Sequence, residues 1–194
     1  LTIFGCLDNG DGSVALLGPD EPQFWPAFTA SAEWHDGQPN PMDRWSTRVI
    51  TALAQDLGAV PRFPFAPDSA PFLDWAMASD HTWPSPVGML VHDRAGLMVS
   101  YRGALQFAYK ISTSHGHSPC PTCRQPCLTA CPVNALTADG YDVPACQKYI
   151  QTPAGADCLT QGCRVRRACP VSQSWPRDPA QSGYHMQQFL PYKP

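Results

Sequence analysis

Nine cysteines stand in this 194-residue chain, and eight of them fall between Pro119 and Pro170. They are Cys120, Cys123, Cys127, Cys131, Cys146, Cys158, Cys163 and Cys169, with Cys6 the outlier. Eight thiolates are what two four-iron clusters require, at four sulfurs each. Cys120 and Cys123, separated by two residues, can reach adjacent iron corners of such a cube from one tight loop. A cysteine followed by proline typically ligates the other cluster in a two-cluster protein. Two blocks here close alike, as Cys131-Pro132-Val133 and Cys169-Pro170-Val171, an echo that suggests a duplicated half-motif. Proline has no N–H and a fixed φ, which predicts a first helical turn over Val133-Asn134-Ala135-Leu136, with Leu136 covering the cluster.

The spacing departs from the bacterial run C-x2-C-x2-C-x3-C-P. Here it is C-x2-C-x3-C-x3-C-P, because Arg124-Gln125-Pro126 adds one residue. The second block is looser, with four residues between Cys158 and Cys163 and five between Cys163 and Cys169. Longer loops still wrap a cluster at modest closure cost. The competing readings are zinc, which takes two close cysteine pairs in a tetrahedral site, and structural disulfides in a secreted protein. The odd count and the crowding of eight thiols into one third of the chain favour metal. The Cys-Pro endings and the total of eight favour clusters over zinc. Cys6, with no partner nearby in sequence, reads as a buried thiol.

Other residues could contribute. His115 and His117 precede Cys120, either replacing a thiolate or hydrogen-bonding to sulfur, or else forming a glycine-hinged surface loop. The latter is favoured, because eight cysteines already suffice. Arg164, Arg166 and Arg167 form either a docking patch for an acidic redox partner or a solvated loop. His92-Asp93 is an acid/base pair or, more commonly, a turn residue beside a capping carboxylate. Phe24, Trp25, Trp34, Trp45, Phe63, Phe65, Phe72, Trp75 and Trp83 line a flat cofactor pocket or, more simply, pack a core.

The elements that must position these groups follow from pattern. Hydrophobic residues are 43% of the chain, charged residues 15%, and prolines number 22, which indicates a loop-rich globular protein. The net charge of −3 argues against a nucleic-acid partner. No run of about 18 apolar residues marks a membrane span. Leu1-Thr2-Ile3-Phe4 lacks the basic region and long apolar core of a signal peptide, and a cytoplasmic location is expected. Ser13 to Leu17 reads as a strand after the turn at Asp8 to Gly12. Glu21 to Ala32 reads as a helix that Pro26 keeps short or kinks. The clearest helix runs from Pro41 to Leu57, capped by Asn40 and stopped by Gly58. Its stripe is Trp45, Val49, Leu53 and Leu57, with Ile50 and Ala54 beside them. Val60 to Phe65 is extended, and Pro71 to Ser79 is a further helix partly burying Phe72, Trp75 and Met77. Gly88 to His92 and Leu97 to Tyr101 flank the turn Asp93 to Gly96, as a hairpin or as a turn feeding a strand through Phe107. A composition change at Ser112 places a boundary between residues 1–112 and 113–194. The polar tail, with Phe189, Leu190 and Tyr192, is expected to strap back onto the body.

In this order an α/β region leads to VHDRAGLMVSYRGALQF, a four-cysteine run, the lone Cys146 and a closing Cys-Pro. From Pro84 to Ser172 the chain resembles the epoxyqueuosine reductase and reductive dehalogenase group. The resemblance implies an α+β chain: a nitroreductase-like fragment followed by a ferredoxin-like two-cluster module. It implies one [4Fe–4S] cluster on Cys120, Cys123, Cys127 and Cys169, and a second on Cys131, Cys146, Cys158 and Cys163. It also offers Tyr101 and Arg102 as contacts to a corrinoid or flavin. Three functions result: electron transfer through two clusters to a redox partner protein, a reductase whose clusters feed an N-terminal pocket, or a zinc-stabilised interaction module.

Overall fold

The computed structural model describes residues 1–67 and 70–190. The chain divides into two units, Leu1–Trp83 with Ser100–His117, and Pro84–Val99 with Ser118–Pro194. The division differs from the boundary expected at residue 112. The first unit runs on to His117, and the insert Pro84–Val99 belongs with the cysteine-rich segment. Composition could not show this, because the insert carries no cysteine. Strands and helices are mixed in an α+β arrangement. Among the described residues, no helix is long and apolar enough to cross a membrane.

The strands in chain order are β1 (Thr2–Asn9), β2 (Gly12–Gly18), β3 (Val60–Arg62), β4 (Thr82–Pro84), β5 (Leu90–His92) and β6 (Gly103–Phe107). In the first unit β1, β2, β6 and β3 form an antiparallel sheet in that order. Gly10, at φ +60°, makes the tight turn between Asn9 and its partner Gly12. All seven residues of β2 are buried, as its central place requires. Expected as Ser13 to Leu17, this strand extends one residue further at each end.

The helices of this unit are α1 (Phe24–Thr29), α2 (Ala32–His35), α3 (Pro41–Leu57) and α4 (Phe72–Ala78). α3 has the bounds the periodicity predicts, and Gly58 ends it at φ 63°. Asn40 makes no side-chain cap and stands at φ 52°, in the left-handed region. The buried stripe is rotated from the one expected. Met42, Ser46, Ile50 and Ala54 face inward with Trp45, while Leu57 is 45% exposed. Small Ser46 and Ala54 let the helix lie close to the sheet. A Cβ on Gly103 of β6 would come within 2.6 Å of the Ile50 methyl carbon. Ile50 and Ala54 thereby pack with Ala15, Leu17, Leu105 and Phe107 in one cluster.

The aromatic residues mostly pack a core. Phe24, Phe28 and Trp45 meet with centroids 5.3 to 6.3 Å apart. Trp34 closes edge-on against Trp25 and Phe28. The short helix expected within Glu21 to Ala32 is α1, which contains Pro26 and ends at Thr29; a separate turn of helix, α2, follows from Ala32.

In the second unit the hairpin expected around Asp93 to Gly96 is one bridge long. His92 and Gly96 exchange backbone bonds of 3.0 and 2.9 Å, and residues 97–102 form no strand. The strand through Phe107 is β6. Beyond Ser118 come a 3-10 turn (Pro126–Thr129), the small hairpin β7 (Leu136–Thr137) with β8 (Gly140–Tyr141), and α5 (Val143–Ile150). Then follow α6 (Ala156–Gln161), α7 (Arg164–Ala168), α8 (Pro170–Gln173) and α9 (Pro179–Gln188). Asp142 and Asp178 cap α5 and α9 by accepting from backbone N–H groups at 3.0 and 2.8 Å. α9 lies against α6, where a Cβ on Gly183 would meet the Thr160 carbonyl oxygen at 2.5 Å. The strap expected of the tail is made by Phe189, which stacks on Tyr141; Tyr192 lies outside the described residues.

Candidate metal centre

All nine cysteines are free thiols. Eight of them gather in the second unit as two sets of four, around two separate cavities. Cys120, Cys123, Cys127 and Cys169 line a cavity of about 480 Å³. Cys131, Cys146, Cys158 and Cys163 line a tighter void with room of only about 20 Å³ for water. These are the same two sets that the resemblance implies. They interleave: Cys131 leaves the first run for the second cavity, and Cys169 returns from the end of the second block to the first.

The first set is built from turns. Cys123 N–H donates to the Cys120 carbonyl at 3.1 Å, closing the C-x2-C loop. The extra residue of the run is absorbed at Gln125, which stands at φ 54° and sends its N–H to Cys123 Sγ at 3.3 Å. Pro126 then opens the 3-10 turn that carries Cys127, which is buried. Cys169 lies at the joint of α7 and α8, with Pro170 in the first turn of α8. Gly96, at φ +57°, packs against it. The Ser85 side chain also lines this cavity, and its buried hydroxyl has no partner among the described residues.

In the second set, Cys131 Sγ accepts from Ala135 N–H at 3.2 Å. That bond needs a tight reversal after Cys131, supplied by Asn134 at φ 50°. The helical turn expected over Val133 to Leu136 is therefore absent, and Leu136 enters β7 instead. Leu136 is buried and lines the void. Cys146 sits on α5, Cys158 on α6, and Cys163 at the start of α7.

The electrostatics follow the same division. Burial pushes the Cys120 thiol upward, and its set-mates Cys127, Cys169 and Cys123 push it further. Burial likewise raises Cys127, followed by Cys169. Cys146 is raised first by burial; a hydrogen bond from Tyr141 opposes this, and Cys163, Cys131 and Cys158 add to the rise. Four sulfurs gathered at one partly buried place cannot all be anionic without a compensating cation.

The other candidate residues are engaged elsewhere. His115 pairs with Asp80 at 2.8 Å in the first unit, and neither His115 nor His117 lines a thiol cavity. Arg164 and Arg167 both bond Asp157, at 2.7 and 2.5 Å, and hold its carboxyl below the usual range, Arg164 most strongly. Arg166 donates to the Leu97 carbonyl. Arg164 and Arg167 thus tie α7 to Asp157 of α6 in a partly exposed cluster, and Arg166 ties α7 to Leu97. His92 is fully buried, and its Nδ1 accepts from Arg94 and Ala95 N–H at 3.0 and 3.3 Å, which is a turn-holding role. Cys6 is partly buried in β1, and burial raises its thiol.

Tyr101 and Arg102 are committed within the first unit. Arg102 pairs with Asp43, donates to Ser46 Oγ at 3.1 Å and lies over the Phe65 ring. The Tyr101 hydroxyl shares a 2.8 Å bond with Thr82. An open hollow nearby, lined by Asn40, Asp43, Arg44, Thr47, Arg48 and Phe65, includes neither of them. Gly96, Ser85 and Tyr141 escaped the sequence reading. Asp93 to Gly96 was legible as a turn, but nothing local ties it to Cys169, 73 positions later. No family model matches the chain, and no curated protein or solved structure matches it.

Proposed function

We propose that the chain is an electron-transfer protein binding two [4Fe–4S] clusters. Cys120, Cys123, Cys127 and Cys169 would hold one, and Cys131, Cys146, Cys158 and Cys163 the other. The observation that carries this reading is the sorting of eight free thiols into two sets of exclusive membership, each around its own cavity.

The residues present fit such a group. Each set offers four thiols, the donor complement of one cubane. Backbone N–H groups already point at sulfur in both sets, at Cys123 and Cys131. The orphaned Ser85 hydroxyl supplies a further donor in the wall of the first cavity. Zinc–sulfur bonds of about 2.3 Å would draw four thiolates around a single ion, whereas the cavity that the first set lines together with Ser85, Val91 and Leu97 has room for a larger group. When bound, each cluster supplies a site that gains and loses one electron.

The chain's own residues would tune and insulate that exchange. N–H donors to sulfur stabilise the more negative, reduced state and raise its potential. Val91 and Leu97 exclude water on one side of the first cavity. The second unit carries eight arginines and lysines against five carboxylates, an excess of positive charge that offsets the negative charge of thiolate-bound clusters. On this reading the second unit is a two-cluster ferredoxin-type module, related to that of the epoxyqueuosine reductase and reductive dehalogenase group, and it serves a redox partner protein.

Anaerobic purification tests it. A brown protein with about eight irons and eight inorganic sulfides per chain, and a spin-resonance signal of reduced cubanes, is expected. A colourless protein holding zinc would replace this reading with that of a metal-braced interaction module.

A further inference from the structure

One helix joins the two thiol sets. Cys163 of the second set stands just before the first turn of α7, and Cys169 of the first set just after its last. Arg166 lies midway, three positions from each. At about 1.5 Å of rise per residue it is about 4.5 Å along the axis from either cysteine. The helix backbone closes on both ends. Arg167 N–H donates to the Cys163 carbonyl at 3.1 Å, and Cys169 N–H to the Arg166 carbonyl at 3.4 Å. Val165, beside Arg166, is fully buried and lines the second void.

The three arginines of this helix differ in their partners. Arg164 and Arg167 share the Asp157 carboxylate. Arg166 is partly buried, and among the described residues no carboxylate pairs with it. Its guanidinium donates instead to the Leu97 carbonyl, a neutral acceptor that leaves the whole positive charge in place. Leu97 lines the first cavity, so this charge stands behind the wall of one set on a helix that carries a ligand of the other. A neutral donor would serve the Leu97 carbonyl at less cost. Drawing a guanidinium out of water is unfavourable unless negative charge lies near it, and the thiolate sets at the two ends of α7 supply that charge.

We propose that Arg166 is the shared counter-charge of the two thiol sets, raising the reduction potential of the group that each one holds. This rests on the two-cluster reading above. Reduction by one electron makes a thiolate-bound cluster more negative, and net charge is one of the terms that set its potential. A fixed cation nearby stabilises the reduced state more than the oxidised one. Partial burial keeps salt from screening that attraction as it would at the surface. Because Arg166 lies between the sets, both potentials respond to it.

The test uses the full chain, loaded anaerobically and titrated potentiometrically with dithionite, with each cluster followed by spin resonance. Arg166→Gln keeps a donor for the Leu97 carbonyl and removes the charge. Arg166→Lys keeps both donor and charge. Arg166→Gln is expected to hold wild-type iron and to move both clusters to more negative potentials, while Arg166→Lys stays close to the wild type. Unmoved potentials in Arg166→Gln, a shift of one cluster only, or equal shifts in the two variants would overturn the proposal. Should Arg166→Gln lose iron, Arg166→Lys decides. Iron retained there assigns the loss to the missing charge and supports the proposal. Iron lost there too reduces Arg166 to a brace for Leu97 and overturns it. Failure of the two-cluster reading itself would show earlier, as missing iron and sulfide in the wild-type chain.

Discussion

A Cβ placed on Gly96 would lie 3.0 Å from Cys169 Sγ and 2.5 Å from the Ser172 backbone nitrogen, and Gly96 stands at φ +57°. Any other residue there must push Cys169 or the first turn of α8 aside and adopt a strained backbone as well. Gly96→Ala is expected to cost about 1–3 kcal/mol in thermal or denaturant unfolding, the usual range for such strain. It is also expected to deplete iron from the first set while sparing the second, read as loss of about half the iron with one spin-resonance signal retained.

The interleaving of the sets makes a sharper prediction. Cys169→Ser should strip the cluster shared with Cys120, although Cys169 follows Cys158 and Cys163 in sequence. Cys131→Ser should strip the other. Each variant is expected to retain about four of eight irons, with the surviving signal differing between the two. Cys6→Ser should leave both signals and the iron content unchanged. If Cys169→Ser and Cys131→Ser left the same signal behind, the division into two sets would be wrong.

In the first unit, Ile50 is fully buried between α3 and the sheet. Ile50→Ala removes several methyl contacts and leaves a cavity, and should cost about 2–5 kcal/mol. Leu57→Ala, on the exposed flank of the same helix, should cost under about 1 kcal/mol. Paired urea titrations of the two variants give the comparison. Equal losses would mean that the outward rotation of Leu57 is incorrect.

Glu33 gives a pH-dependent handle. Hydrogen bonds from Arg48, at 2.5 and 3.0 Å, hold its carboxyl at about 2, below its ordinary value of 4.5. A lowered folded-state value stabilises the protein above the unfolded value, and the contribution disappears as pH falls from about 4.5 through about 2. Arg48 is 58% exposed, so solvent screening reduces the pair to about 1 kcal/mol. Relative to Glu33→Gln, the wild type should be more stable at pH 6 and lose that advantage by about pH 2. A stability difference constant across that range would remove Glu33 from the account.

Local pattern was enough where the deciding interactions are local. The four-residue recurrence of apolar side chains, with Pro41 at the start and Gly58 past the end, gave α3 its bounds. It did not give the helix its facing. Which stripe is buried depends on Gly103, on a strand 46 positions after Leu57, and on how closely small Ser46 and Ala54 allow α3 to approach it. The two Cys-Pro-Val tripeptides make the same point. After Cys169 the proline opens α8, while after Cys131 the chain reverses through Asn134 into β7. An identical tripeptide ends in two conformations because its surroundings differ: Ala135 is drawn to Cys131 Sγ in one, and α7 feeds directly into the turn in the other.

The chain's order of residues determined the supply of thiols and their rough loops, and a cysteine-poor region of strands and helices before them. Tertiary structure alone decided which thiol faces which cavity, that Gly96 must stand beside Cys169, that the arginines between Cys163 and Cys169 bond Asp157 and Leu97, and that Phe189 reaches Tyr141. The reason is one of range. Turn and helix preferences act over a few residues, whereas a four-sulfur set is closed by contacts across dozens of positions, and those are chosen by burial and by the satisfaction of polar groups in the folded chain.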